Sequence, residues 1–174
     1  MHTTRIMAGG LAALAALGAL GNASAQQKSA ADGIAEYRKM LEDGNPAELF
    51  EAKGEDLRKT PRGPKKVSLQ RCDLGLGPGV VKGAWVQLPR YFADTGRVQD
   101  VESRLVTCMA TLQGFDAAEI ARTPFDKGDM ANVTALATWI AAESRGQRFS
   151  LPQNHPEERR FYELGKRSEE HTSE

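Results

Sequence analysis

Cysteine and histidine are scarce in this 174-residue chain: Cys72 and Cys108 are the two cysteines, and His2, His155 and His171 the three histidines. Structural metal sites draw on clusters of thiolates and imidazoles, and most acid–base centres near neutral pH use an imidazole. Here such chemistry has little to work with. His2 falls in an apolar leader and His171 in a polar tail, while His155 stands between Asn154 and Pro156 in a chain-breaking stretch. A single loop histidine of this kind reads as exposed. Covalent haem attachment needs C-x-x-C-H, two thiols for the porphyrin and an imidazole for the iron. Cys72 is followed by Asp73, Leu74, Gly75 and Leu76, and Cys108 by Met109 and Ala110, so neither completes it. Nucleophile-elbow, Walker and H-E-x-x-H patterns are also missing. GLGPG at 75–79 has no helix directly behind it to hold a phosphate, and reads as turns.

An excess of either charge is missing too, with 23 Lys and Arg against 23 Asp and Glu. Neither nucleic acid nor an anionic membrane is indicated by such a balance. A local basic run, Arg58, Lys59, Arg62, Lys65 and Lys66, is interrupted by Pro61, Gly63 and Pro64. It reads as a solvated loop, with docking to an acidic protein as the other reading. Asp94, Asp100 and Glu102 read as surface and capping residues. No residue of the chain is assigned a catalytic, cofactor-binding or metal-binding role.

Long apolar runs are limited to one, residues 6–20 after Arg5. It falls short of the roughly 20 residues of a membrane-spanning helix, and Ala23, Ser24 and Ala25 supply the small side chains that signal peptidase needs. Residues 1–25 are therefore expected to be a cleavable signal, with a mature start near Gln26 and no membrane span after cleavage. Export implies an oxidising compartment, where an even cysteine count normally means disulfides. A Cys72–Cys108 bridge would close a loop of about 37 residues, worth roughly 4 kcal/mol in the chain-entropy model. The other readings of these sulfurs are a haem thiolate ligand or a redox thiol. At the far end, residues 167–174 spell RSEEHTSE, the string that a common sequencing adapter, AGATCGGAAGAGCACACGTCTGAA, encodes. These residues are expected to be adapter translation, with the authentic sequence stopping at Lys166.

What remains is enough for one domain. Ile34, Tyr37, Met40 and Leu41 recur at helical spacing. Asn45-Pro46 starts a second helix with Leu49, Phe50 and Leu57 as its apolar side, and Gly54 is expected to weaken or end its first half. Residues 60–83 carry too much Gly and Pro for regular structure. Asp100 caps a helix bearing Val101, Leu105, Cys108, Met109 and Leu112, which Gly114 stops. A short turn spans 116–122, a stronger helix spans 129–143 with Val133, Leu136, Ala137 and Ile140 inward, and a last one spans 158–166 with Phe161, Tyr162 and Leu164. No run alternates convincingly as a strand. The class is mainly α with long loops.

The segment CDLGLGPGVVKGAWVQLPRYFADTGRVQDVESRLVTCMATLQGFD, preceded by NPAELFEAKGEDLRKTPRGPKKVSL, resembles the N-terminal domain of the SoxA family, and PRYFADTGRVQDVESRLVTCM is specific to it. The resemblance runs from about Gly33 to Lys166. It implies two related cytochrome c domains in the complete subunit, of which residues 26–156 would be the first and 157–166 the start of the second, the C-terminal haem domain being truncated. Some members hold a haem in each domain; others have a disulfide in place of the first haem. The departure at Cys72 from C-x-x-C-H implies the one-haem type, with Cys72 and Cys108 as that disulfide. SoxA subunits belong to periplasmic L-cysteine S-thiosulfotransferase, which joins thiosulfate oxidatively to a cysteine of the SoxYZ carrier, with the cytochrome SoxX as partner. The resemblance thus implies haem c and catalytic residues beyond Lys166, and an inactive fragment here. The alternative is an exported, disulfide-bonded helical binding or structural module without redox activity.

Overall fold

A computed structural model describes residues 29–42 and 44–172. The expected signal, residues 1–25, lies outside them. The described residues fall into two units, divided between Arg38 and Lys39.

In the first unit, helix α1 (Ala30–Glu42, running on into the second) starts at a reciprocal cap. Ser29 Oγ accepts the Asp32 N–H at 3.1 Å and the Asp32 carboxylate accepts the Ser29 N–H at 3.2 Å, so two donors that the first helical turn leaves over are satisfied at once. Ile34 and Tyr37, expected as an apolar face, are exposed.

The second unit is built around two helices in close contact, α2 (Ala47–Lys59) and α5 (Gly128–Ala142). Asn45 Oδ1 accepts the Ala47 N–H at 2.9 Å and starts α2 where expected. The helix does not weaken at Gly54, however. A Cβ there would lie 2.2 Å from the Ala135 carbonyl oxygen and 2.7 Å from Trp139 Cβ. Gly54 is the point at which α5 comes against the α2 backbone, so α2 buries Gly54 and Leu57, whereas Leu49 and Phe50 are 79% and 48% exposed. The expected apolar side thus holds at Leu57 and is corrected at Leu49 and Phe50: the face is chosen by close approach rather than by the largest side chains.

From Thr60 to Pro89 the chain runs in turns, broken by one 3-10 turn at Trp85–Gln87. Asp73 organises the GLGPG stretch, its Oδ1 accepting the N–H of Gly75 at 2.7 Å and of Gly77 at 3.0 Å. A small antiparallel hairpin, absent from the sequence expectation, follows: β1 (Arg90–Phe92) and β2 (Arg97–Gln99), with Tyr91 opposite Val98. Helix α3 (Val101–Cys108) is capped by Asp100, which accepts the Ser103 N–H at 2.8 Å, and continues as a π-helical turn, Met109–Gln113, until Gly114 at φ 81°. Helix α4 (Ala117–Arg122) is capped by Asp116, and α6 (Pro156–Thr172) closes the described chain. Leu57, Leu69, Leu74, Leu88, Phe92, Val101, Leu105, Met109, Ile120, Val133, Leu136 and Ile140 form one core. The domain is mainly helical with long loops, as the sequence predicts. Among the described residues no helix is long and apolar enough to cross a membrane.

Candidate functional site

Cys72 leaves the turn-rich loop and Cys108 ends α3, and their sulfurs are bonded to each other, with Cα atoms 5.6 Å apart. Cys108 is on the buried side of α3 because Val101, Leu105 and Cys108 share one stripe of the helix. Both half-cystines are buried, at 6% and 4% exposure. The cavity beside them measures about 10 Å³ and is enclosed by Leu74, Leu105, Leu136, Trp139 and Ile140. Small-molecule sites run to hundreds of Å³. The residues present therefore do not fit a covalently attached haem: the two thiols that would form thioethers are joined to one another, aliphatic side chains fill the space alongside, and His155, the histidine among residues 29–170, sits at the start of α6.

Next to the bridge lies Arg104, 5% exposed. Its Nε donates to the Asp73 carbonyl at 2.6 Å, its Nη1 donates to both Asp94 carboxylate oxygens at 2.8 and 2.9 Å, and its guanidinium stacks 4.0 Å above the Phe92 ring. One side chain thereby ties the loop after Cys72, the hairpin and α3 together. Asp94 is a surface residue, as expected, and from there it is also the counter-ion that lets this charge be buried. Asp100 is the cap the sequence predicts.

In the basic run Lys59, Lys65 and Lys66 are exposed, as a solvated loop implies, and Arg58 and Arg62 are half-buried. Arg58 donates to the Gly79 carbonyl at 2.9 Å and lies over Trp139; Arg62 pairs with Asp129 at 2.9 Å and lies over Phe115; Lys65 donates to the Thr111 carbonyl at 2.8 Å. These three cations hold the loop to the helices, Lys65 while remaining exposed.

His155 is not a free loop histidine either. Its ring stacks on Tyr91 with centroids 3.6 Å apart and planes 7° from parallel, and its Nδ1 accepts the Glu157 N–H at 3.2 Å. Beside it the Glu158 carboxylate accepts the N–H of Tyr91 at 2.8 Å and of His155 at 3.0 Å. Burial pushes the Glu158 carboxyl up, but the N–H groups of His155, Tyr91 and Asn154 and the positive charge of Arg90 outweigh it and hold the pKa below its ordinary value. Sequence reasoning missed this cluster; Pro156 at the first helical position, with Glu158 two residues on, is the signal that could have found it.

The surface clefts of the described residues include two larger ones. One of about 570 Å³ is lined by Phe115, Asp116, Glu119, Thr123 and Asp129, but Asp116 caps α4 and Asp129 is paired with Arg62. The other, about 380 Å³, runs between α6 and the preceding segment, along Pro89, Leu151, Pro152, Phe161 and Tyr162. Among the described residues no group of three or more His, Cys, Asp or Glu is placed to hold a metal ion.

Fold and bridge together define a mainly helical, disulfide-stapled domain, in which Arg58, Arg62, Arg104 and Glu158 tie loops and hairpin to the helices. A family model described as SoxA/TsdA, cytochrome c domain, matches residues 53–149, more than half of the chain, and the chain belongs to that family. It is 51% identical over 134 residues to the L-cysteine S-thiosulfotransferase subunit SoxA of Hydrogenophilus thermoluteolus, an alignment covering 77% of this chain and 49% of that protein. It is 30% and 29% identical to two proteins of Hydrogenobacter thermophilus, each also an L-cysteine S-thiosulfotransferase subunit SoxA, covering 86% and 83% of this chain and 57% and 54% of theirs. The chain thus spans about half the length of the curated relatives it matches.

Proposed function

We propose that this chain is the N-terminal part of a SoxA subunit of L-cysteine S-thiosulfotransferase, acting in the periplasm after removal of residues 1–25. The observation that carries this reading is the 51% identity over 134 residues to a SoxA subunit. In the intact enzyme, thiosulfate and a carrier cysteine thiol join through a new sulfur–sulfur bond with loss of one proton and two electrons. Haem c in the second half of the subunit would take up those electrons, SoxX would be the partner cytochrome, and SoxYZ would present the thiol. Residues 26–156 would serve as a haemless cytochrome-type scaffold that supports the haem domain and contributes to the interface with SoxX or SoxYZ. Residues 157–166 would open the second domain, and 167–174 would be adapter translation. On this reading the fragment alone has no transferase activity, and none of its residues is catalytic.

The test is to read the source DNA through the codon for Lys166 and onward. The expected result is a frame continuing into C-x-x-C-H and a later cysteine. A frame that stops after the codon for Glu174, or continues without the haem motif, would overturn the proposal.

A further inference from the structure

Helix α6 carries one buried side chain, at its start, where Arg159 also donates to the Gln153 and Asn154 carbonyls at 2.8 and 3.0 Å. Among its residues with described side chains Glu158 alone is buried, at 8% exposure, and residues 159–169 are exposed throughout. A buried glutamate as the sole inward residue of a helix is unusual, because charged groups enter the interior only when hydrogen-bonded or paired. Here the two oxygens have two different employments. Oε2 accepts the His155 N–H at 3.0 Å, the reach of a third helical residue back to the residue before the helix, while the His155 ring answers with Nδ1 accepting the Glu157 N–H. Oε1 turns outward and accepts the Tyr91 N–H at 2.8 Å, a β1 donor. The Tyr91 ring then lies flat on His155 at 3.6 Å.

We propose that Glu158 is a positioning residue whose two oxygens couple the start of α6 to the hairpin and so set the direction in which α6 leaves the domain. One oxygen starts the helix; the other fixes where it points. This rests on local geometry and is independent of the functional reading above.

The full chain with its disulfide intact, labelled for NMR, provides the test. Glu158→Gln keeps one carbonyl acceptor for two donors and Glu158→Ala keeps none. In both, the Tyr91 amide should exchange with solvent about ten-fold faster or more, and the residual dipolar couplings of α6 should shrink while those of α5 keep their wild-type values and α6 chemical shifts remain helical. Glu157→Ala, which loses the exposed pairing with Arg160, should change neither. Wild-type α6 couplings in Glu158→Ala would overturn the proposal, as would an α6 that melts in both variants, which would make Glu158 a cap alone. If Glu158→Ala does not fold, Glu158→Gln decides by the same readouts, and a Glu158→Gln that also fails to fold overturns the proposal in favour of a general stabilising role.

Discussion

Arg104 keeps its charge in the core through three partners: the Asp73 carbonyl for Nε, the Asp94 carboxylate for Nη1 and the Phe92 ring for its face. A lysine has neither the fork nor the flat surface to meet all three. Glu158 solves the same problem with the opposite sign, its charge stabilised chiefly by backbone donors, with the positive charge of Arg90 adding to them. The sign of its pH dependence follows from its lowered pKa. The native state binds its proton less readily than the unfolded chain does, so the stabilisation is complete above the ordinary carboxylate range and is lost as pH falls through the lowered value. Tyr91 amide exchange, corrected for its intrinsic pH dependence, should therefore stay flat from about pH 8 to 5 and accelerate below about pH 4. A Glu158 carboxyl titrating at or above 4.5 by carbon-13 NMR would contradict this.

Gly54 is where elements decide against local propensity. Alanine at this position should favour an isolated α2 by about 1 kcal/mol, yet its Cβ would meet the Ala135 carbonyl of α5 at 2.2 Å. Overpacking of this kind typically costs about 1–3 kcal/mol, and a contact with backbone has little freedom to relax. Gly54→Ala is expected to lower the thermal midpoint by several degrees; an unchanged or raised midpoint would mean that the helices separate without penalty. The same position explains what the sequence could and could not convey. Helices α3 and α5 were legible because apolar residues recur at helical spacing between recognisable ends, Asp100 and Gly114 for the first. The buried face of α2 was not, since glycine adds nothing to an apolar pattern and its contact lies far along the chain. The hairpin escaped because three-residue strands are too short to alternate. The partners of Arg58, Arg62, Lys65 and His155 escaped because a run of cations, or a lone imidazole, does not encode what folds against it.

For the molecule as a whole the dominant covalent constraint is the Cys72–Cys108 bond, which joins residues 36 apart. Replacing both cysteines with alanine should remove about 4 kcal/mol by the chain-entropy estimate, a large share of what a domain of this size possesses. Denaturant unfolding of the wild type and the double variant measures it, and equal midpoints would place the stability in the helix packing instead. Because both sulfurs are buried, a reductant should act on the native protein only through openings of the structure, and reduction should speed up with denaturant. The bond also bears on how this domain matures. Closing it removes two electrons and two protons from the chain and adds no atom to it, so this one step follows the oxidising power of the surroundings and draws on no iron.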